Sequence, residues 1–209
     1  KKKIERKKKK TKKYKKNYKG KILITKFFSK ENILQKSKKK DIKFKLISSF
    51  AIFYDVENPS SFCKDIRDLL DDNGLWVCEF SYLPLMLKNL TFDQICHEHL
   101  TYYSFTVFEK IINKNGLKII DYNLNEINGG SIEIILSKNT SNIKSNIKSI
   151  NDLKTDEKKI NNKSYKNFEK RINLSRNNLQ VFLNNNYPIA GYGASTKGNI
   201  VLNYNKLGS

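Results

Sequence analysis

Short apolar runs alternate with amphipathic stretches through the first two thirds of the chain. Apolar runs occur at residues 22–24, 44–50, 75–80, 117–122 and 131–136. Their length and composition are typical of buried strands. Apolar positions at helical spacing occur at residues 30–38, 60–72, 82–88 and 105–113. Strands and helices in this order, with short connections, predict an α/β fold built on a doubly wound sheet.

The pattern changes after residue 138. Residues 139–151 are rich in Asn, Ser and Lys and are interpreted as a linker. From residue 152 to about residue 184, aromatic and aliphatic residues recur at steps of three and four, which predicts one long helix. A strand at 187–191 and a helix after it begin a second α/β domain. We therefore divide the chain into a tail at 1–19, a first domain at 20–138, a linker at 139–151 and the start of a second domain at 152–209.

The net charge of +21 is concentrated at one end of the chain. Residues 1–48 carry a net charge of +19, and the remainder carries only +2. Lysines at this density repel one another, so residues 1–19 are predicted to form a poorly ordered tail. A basic nucleic-acid-associated protein that uses this tail is kept as an alternative, although a nucleic-acid partner is not expected for the body of the chain.

Cysteine usage and hydropathy bear on the compartment. Cys63, Cys78 and Cys96 form no CxxC pair, which favours free thiols in the cytoplasm. No apolar run approaches the ~20 residues that span a bilayer, so no membrane partner is expected. The basic start is not followed by the apolar region of a secretory signal.

Both histidines of the chain lie in the segment TFDQICHEHLTYYS, at residues 91–104. His97 and His99 flank Glu98, and three interpretations of this HEH motif remain open on chemical grounds. One imidazole could act as a general base, because its ordinary pKa lies near neutrality. The pair could instead ligate a metal, or one ring could be a hydrogen-bonded structural group.

Two glycine-rich stretches are further candidates. GYGASTKGN, at residues 191–199, joins a predicted strand to a predicted helix. Backbone N–H groups at a helix start favour an anion, but the same stretch could be a plain tight turn. The NGGS stretch at residues 128–131 fits a hairpin turn that needs positive φ angles.

Taken together, these stretches resemble a known family. FAIFYDVENP, EFSYLPLML, TFDQICHEHLTYYS, NEINGGS and GYGASTKGN follow in this order between about residues 50 and 199. Proteins similar to this are the S-adenosylmethionine (SAM)-dependent C-methyltransferases of nucleotide-sugar metabolism. The family has an N-terminal zinc-binding domain, a class I (Rossmann-like) methyltransferase domain and a C-terminal α/β domain. The resemblance thus implies a partial class I methyltransferase domain followed by the start of a second α/β domain.

The resemblance also implies roles for particular residues. His99 matches the catalytic base of the family, and Glu98 and His97 are its neighbours in the site. SAM is expected at Ser49, Phe50 and Ala51. The expected substrate-binding residues are Tyr54, Tyr82, Tyr102, Tyr103, Asn128, Gly129, Tyr192, Ser195 and Lys197. No metal is expected in this chain, because zinc belongs to the N-terminal domain of the family.

The chain departs from the family pattern at both ends. It lacks the cysteine-rich zinc domain, the glycine-rich cofactor loop and the acidic residue that holds the cofactor ribose. At the other end, the expected C-terminal α/β domain stops after its first strand and helix. We therefore expect an internal fragment with an incomplete SAM site that is inactive alone. Some members carry Tyr where Cys96 stands, so no direct role is expected for this thiol.

The reaction that the resemblance implies starts with removal of a proton next to a carbonyl. The resulting enolate attacks the methyl group of SAM, and a histidine is a suitable base for the first step. The expected substrate is a nucleoside-diphosphate (NDP) keto-sugar. A SAM-dependent methyltransferase of another small molecule is the alternative within this class.

Overall fold

The structure is a computed structural model of the 209-residue chain. It describes residues 24, 26–38, 41–186, 188–192 and 195–207. The predicted tail at residues 1–19 lies outside the described residues, as does all but Ile24 of the strand predicted at 22–24. The chain divides into two compact units, residues 1–43 and residues 44–209.

The described part of the first unit contains helix α1, Lys30–Ser37. The hydroxyl of Ser29 accepts a hydrogen bond from the backbone N–H of Asn32 at 3.1 Å, which caps the start of the helix. Lys38, with a φ of 58°, ends it in the left-handed conformation. The helix predicted at residues 30–38 is thus confirmed.

The described part of the second unit contains four strands and six α-helices. In chain order they are β1 Phe44–Phe50, α2 Pro59–Leu69, β2 Leu70–Ser81, α3 Leu83–Asn89, α4 Phe105–Lys114, β3 Leu117–Asn125, β4 Ser131–Lys138, α5 Ile147–Glu157, α6 Asn162–Asn185 and α7 Thr196–Tyr204. Three single turns of 3-10 helix, Phe53–Asp55, Phe92–Gln94 and Ile127–Gly129, lie in the loops. The predicted α/β class is confirmed.

The four strands form one mixed sheet in the order β1-β2-β4-β3. β1 and β2 are parallel, because α2 carries the chain back between them. β4 is antiparallel to both β2 and β3, because only a short turn joins β3 to β4. Since β1, β2 and β3 share one direction, their carboxyl ends lie at the same edge of the sheet. Candidate site residues from the loops after β1 and β2 are therefore brought to this edge.

The junction between α2 and β2 differs from the prediction. The helix expected to continue to residue 72 ends at Leu69, and the strand begins at once. The register with β1 moves from Phe44 opposite Leu70 to Leu46 opposite Leu75, which bulges residues 71–74 within the strand. A Cβ on Gly74 would lie 2.7 Å from the carbonyl oxygen of Phe44, so glycine permits this close approach.

Aromatic residues dominate the core beside the sheet. Phe53, in the loop after β1, is 0% exposed. Its ring centroid lies 4.9 Å from Phe108, 5.1 Å from Tyr103 and 5.9 Å from Phe80. Burial of such rings contributes the largest share of hydrophobic stabilisation in a core of this kind. The loop that follows β1 is thereby fixed to the body of the unit.

The C-terminal third also departs from prediction. The long helix expected at residues 152–184 consists of two helices, α5 and α6, and α5 begins within the predicted linker. A capping box at Asn161 and Ser164 starts the second helix, which explains the break. Residues 188–191, the described part of a predicted strand, form no strand, whereas the helix predicted after them is present as α7.

Glu157, the last residue of α5, joins three elements. Its carboxylate accepts hydrogen bonds from the hydroxyl of Tyr82 at 2.7 Å and from the N–H of Thr106 at 2.9 Å. It also accepts from the N–H of Phe105 and from the hydroxyl of Thr106. Burial, and then the bond to Glu157, raise the pKa of Tyr82. The carboxylate thus caps α4 and ties it to α5 and to the end of β2.

Replacing Glu157 with Gln should lower the free energy of unfolding by about 2–4 kcal/mol. The amide nitrogen cannot accept, and hydrogen bonds to a charged group contribute about 1.5–3 kcal/mol each. Urea unfolding followed by circular dichroism measures the loss. Glu169→Gln, at an exposed position of α6, should change stability by less than about 0.5 kcal/mol. Equal midpoints for the two variants would contradict the role given to Glu157.

Candidate functional site

The HEH motif is held against the loop that follows β1. The backbone N–H groups of Leu100 and Thr101 both donate to the carbonyl oxygen of Tyr54, at 3.0 and 3.2 Å. The N–H of His99 donates to the carbonyl of Cys96 at 3.2 Å, which closes a turn through the motif. The segment therefore lies at the edge of the sheet where β1 ends.

The two histidines have different surroundings. The His99 ring is half-buried, with its centroid 4.2 Å from the Tyr54 ring and 6.3 Å from the Tyr102 ring. His97 and Glu98 are exposed. A general base needs a fixed position, and the contacts with Tyr54 and Tyr102 restrict the position of the His99 ring.

Two acidic side chains lie near His99. Burial raises the pKa of Asp55, the nearby His99 opposes this, and Glu98 adds to it. Burial, and then Asp55, raise the pKa of the Tyr54 phenol. Tyr54 therefore keeps its proton at neutral pH, and its ring packs against the imidazole as a neutral group.

The three residues expected to bind the cofactor have different surroundings. Ser49 is buried, and its hydroxyl accepts a hydrogen bond from Trp76 Nε1 at 2.9 Å. Phe50 is 50% exposed, and Ala51 is exposed with a φ of 53°. The side chain of Ser49 thus serves the core, whereas Phe50 and Ala51 form an accessible end of β1.

Glu79 lies beside that end of β1, opposite Phe50 in the sheet. Its carbonyl oxygen accepts from the N–H of Ala51 at 3.0 Å. Its carboxylate is buried and accepts from Asn125 Nδ2 at 3.1 Å. Like Asp55, Glu79 is absent from the candidate site residues predicted from the sequence.

The three predicted substrate tyrosines after β2 are not equivalent. Tyr82 and Tyr103 are each 2% exposed and belong to the core. Leu83 N–H donates to the carbonyl of Tyr103 at 3.0 Å, which pairs the two segments. Tyr102 is half-buried, and its hydroxyl donates to the carbonyl of Gln94 at 3.2 Å. The side chains of Tyr82 and Tyr103 therefore contribute to packing in the core, and Tyr102 is the more accessible of the three.

The NGG turn, residues 128–130, contacts the start of α7. Lys197 Nζ donates to Asn128 Oδ1 at 3.3 Å. Gln94, which is 1% exposed, donates through Nε2 to the carbonyl of Asn128, and Asn89 donates to the carbonyl of Gly129 at 2.8 Å. Lys197 therefore lies within hydrogen-bond distance of Asn128, the residue before Gly129.

Ser195 and Tyr192 have different surroundings from Asn128, Gly129 and Lys197. The Ser195 hydroxyl accepts from the N–H of Gly198 at 3.1 Å and so caps α7. Tyr192 is fully exposed. The capping bond of Ser195 and the exposure of Tyr192 do not place either side chain beside His99.

A cavity of about 370 Å³ opens beside Tyr102. It is lined by Leu83, Tyr102, Ser104, Thr106, Val107, Glu157, Lys158, Ile160 and Tyr165. None of the HEH residues lines it, so it is separate from the imidazole.

Within the described ranges, no three His, Cys, Asp or Glu residues cluster in a way that could hold a metal ion. In the same part of the chain no helix has the length and apolar character needed to cross a bilayer. The cytoplasm remains a prediction from the sequence.

Family models match both parts of the chain. Residues 4–122, more than half of the chain, match a methyltransferase domain, and residues 126–209 match a C-methyltransferase C-terminal domain. The chain therefore belongs to the methyltransferase-domain family, with the C-terminal region of C-methyltransferases. The C-methyltransferase family expected from the motifs is confirmed.

Individual relatives cover only parts of the chain. It is 26% identical over 144 residues to the C-methyltransferase NovU of Streptomyces niveus, which is 66% of this chain and 34% of that protein. The chain thus spans about a third of the length of this curated relative.

Two solved structures are similar to part of the chain. Magnesium protoporphyrin IX methyltransferase from Synechocystis PCC 6803, with bound SAH, is 14% identical, with a TM-score of 0.36 and 46% of each chain covered. An S-adenosylmethionine-dependent methyltransferase from Clostridium acetobutylicum is 12% identical, with a TM-score of 0.37 and 52% and 69% of the chains covered.

Gly130→Ala should destabilise the protein by about 2–3 kcal/mol, because strain and overpacking each cost on this scale. Gly130 has a φ of 132°, and an added Cβ would lie 2.5 Å from Leu85 Cβ. Thermal unfolding measures the effect. Gly191→Ala is the matched control, since its Cβ would have no neighbour within 4 Å. Equal melting temperatures for the two variants would contradict the packing described for the NGG turn.

Proposed function

We propose that this chain is part of a SAM-dependent C-methyltransferase whose substrate is an NDP-keto-sugar, with His99 as the general base. The observation that carries the proposal is the position of His99. Its ring is half-buried, packs against Tyr54 and belongs to a segment fixed by two hydrogen bonds to the Tyr54 carbonyl. An imidazole so held can take a proton repeatedly in one geometry.

In the proposed reaction, His99 removes a proton from the carbon next to the sugar carbonyl. The electron pair stays on the substrate and spreads onto the carbonyl oxygen, giving an enolate. SAM, when bound, supplies the electrophilic methyl group that this carbon takes. The half-buried Tyr102 remains a candidate to contact the sugar, because its ring lies beside the imidazole.

The cofactor fits the described residues in part. Phe50 and Ile52 expose apolar surface at the end of β1, at 50% and 47%, which suits one side of a flat ring such as adenine. Ala51 lies between them with a positive φ and carries only a methyl group. Ser49 is turned into the core and is left out of the proposed SAM contacts. The proposed SAM contacts are therefore Phe50, Ala51 and Ile52.

The proposed nucleotide end of the substrate lies near the NGG turn and α7. Lys197 brings positive charge there through its bond to Asn128, and diphosphates are favoured by such cations and by helix starts. The division into a methyltransferase part to residue 138 and a C-terminal part from residue 152 is kept as a proposal.

Exchange of the acidic C–H of the keto-sugar in D₂O tests the base without requiring SAM. His99→Asn should reduce the exchange rate by about 10²–10⁴-fold, the usual contribution of a positioned base. Mass spectrometry of the recovered sugar nucleotide measures deuterium uptake. Glu57→Gln, an exposed acid in the loop before α2, should exchange at the rate of the unaltered chain.

His97→Asn distinguishes the two imidazoles. It should slow exchange far less than His99→Asn, because His97 is exposed and lacks the Tyr54 contact. Exchange that survives in His99→Asn at the original rate would overturn the assignment of the base. Exchange with a keto compound that lacks the nucleotide, at an equal rate, would favour another small-molecule substrate.

A further inference from the structure

The carboxylate of Glu79 has no part in the proposed reaction, although it is buried at the edge of the sheet where β1 and β2 end. The residue is 7% exposed. Among the described residues, its carboxylate accepts one hydrogen bond, from Asn125 Nδ2 at 3.1 Å, and forms no ion pair. Burial of a carboxylate costs free energy unless hydrogen bonds or an opposite charge compensate it. A single amide leaves most of its capacity to accept hydrogen bonds unused.

Asn125, the last residue of β3, holds this carboxylate in a defined position. Its Oδ1 accepts a hydrogen bond from the N–H of Ile127 at 3.0 Å, so the amide turns its Nδ2 toward Glu79. Glu79 belongs to β2, and β4 lies between β2 and β3 in the sheet. The amide and the carboxylate therefore meet across β4, on one face of the sheet.

The hydroxyl of Ser81 is a second polar group on that face. Ser81 follows Glu79 by two residues in β2, so both side chains project from the same face. Ser81 is 8% exposed, and its Oγ has no hydrogen-bond partner in the described part of the chain. In the register of the sheet, Ser81 lies opposite Ser131, which in turn lies opposite Asn125. Glu79, Ser81 and Asn125 therefore form one group, called here the β2 polar patch.

The β2 polar patch lies between the two proposed ligand sites. Phe50, a proposed SAM contact, is the neighbour of Glu79 in β1 and is exposed. Tyr82, directly after Ser81, donates its N–H to the carbonyl of Gly130 in the NGG turn at 3.1 Å. The patch thus has the proposed cofactor side on one flank and the proposed nucleotide side on the other. A sugar that joins the two sides passes over it.

The charges around the patch favour a ligand group that donates hydrogen bonds. Glu133, which is half-buried, lies directly opposite Glu79 in β4 and adds a second negative charge. No Lys or Arg of the described ranges forms an ion pair with either glutamate. Like charges repel, so the diphosphate is expected away from this patch, near Lys197.

We propose that the β2 polar patch binds a ring hydroxyl of the sugar substrate, with Glu79 as a specificity-determining residue. A hydroxyl group suits the patch because it can donate its proton to the carboxylate and accept a hydrogen bond from Ser81. Asn125 is a positioning residue, since it acts on the substrate only by holding the carboxylate. The inference rests on the proposed function and names a feature that its substrate must have. No covalent bond forms or breaks at the patch.

Binding of uridine diphosphate glucose (UDP-glucose) to the full chain, measured by calorimetry, tests the inference without SAM or turnover. The 2-deoxy, 3-deoxy and 4-deoxy forms of UDP-glucose each lack one ring hydroxyl. One of them should bind about 10–100-fold more weakly than UDP-glucose, the usual contribution of a hydrogen bond to a charged group. Glu79→Gln should weaken UDP-glucose by a similar factor and should bind that same deoxy form almost as well as UDP-glucose, because the two changes remove one interaction.

Three further variants separate binding from folding. Ser81→Ala removes a buried hydroxyl without a described partner, so the melting temperature should stay the same or rise, while UDP-glucose binds about 3–10-fold more weakly. Asn125→Ala, a second variant in case Glu79→Gln fails to fold, should reduce the selectivity for the same hydroxyl. Glu126→Gln removes an exposed charge beside Asn125 and should bind UDP-glucose like the unaltered chain.

The inference is wrong if every deoxy form loses the same factor in the unaltered chain and in Glu79→Gln and Asn125→Ala, because the hydroxyl is then bound elsewhere. A lower melting temperature with unchanged affinity in Ser81→Ala would also overturn it, since the patch would then be structural. The proposed function fails in a different way. If the unaltered chain binds none of the sugar nucleotides, the substrate class is wrong, and the inference falls with it. Deuterium exchange that persists in His99→Asn would end the assignment of the base alone.

Discussion

The position of the candidate base depends on the burial of Phe53. This ring is fully enclosed and packs against Phe80, Tyr103 and Phe108. Phe53 is the first residue of the turn after β1. Its burial therefore also fixes the position of the next residues of the turn, Tyr54 and Asp55. Tyr54 then holds the HEH segment through its carbonyl and its ring. Hydrophobic packing of Phe53 in the core therefore sets the position of the HEH segment at the surface.

Glu157 fixes the position of the C-terminal region in a similar way. A carboxylate that accepts from the start of α4 and from Tyr82 joins α5 to the body of the unit. Arg171 of α6 adds to this by donating to the carbonyls of Leu87 and Lys88 at the end of α3. Further along the chain, Lys197 donates a hydrogen bond to Asn128 in the NGG turn. Residues outside the sheet therefore contribute to the candidate substrate-binding site.

Local patterns in the sequence were sufficient for most elements of the sheet. The run FKLISSF predicts β1 with the bounds observed, and the pairing of β3 with β4 follows from their short connection. The start of β2 could not be predicted, because Asp72, Asn73 and Gly74 usually end a helix, and only the register with β1 shows them as a bulge. The break between α5 and α6 likewise depends on capping that an apolar stripe does not reveal.

The site shows the same division between local and tertiary information. The motifs indicate which segments meet, but not which side chains of a segment face outward. Tyr82 and Tyr103 lie in the core, in two segments that pair with each other outside the strands. The hydroxyl of Ser49 accepts a hydrogen bond from the buried Trp76. Tyr54 is the converse case, since nothing in FAIFYDVENP shows that its carbonyl holds the segment after His99 or that its ring packs on the imidazole. Both contacts depend on the turn that begins at the buried Phe53. The surroundings of the candidate base are thus set by packing in the core.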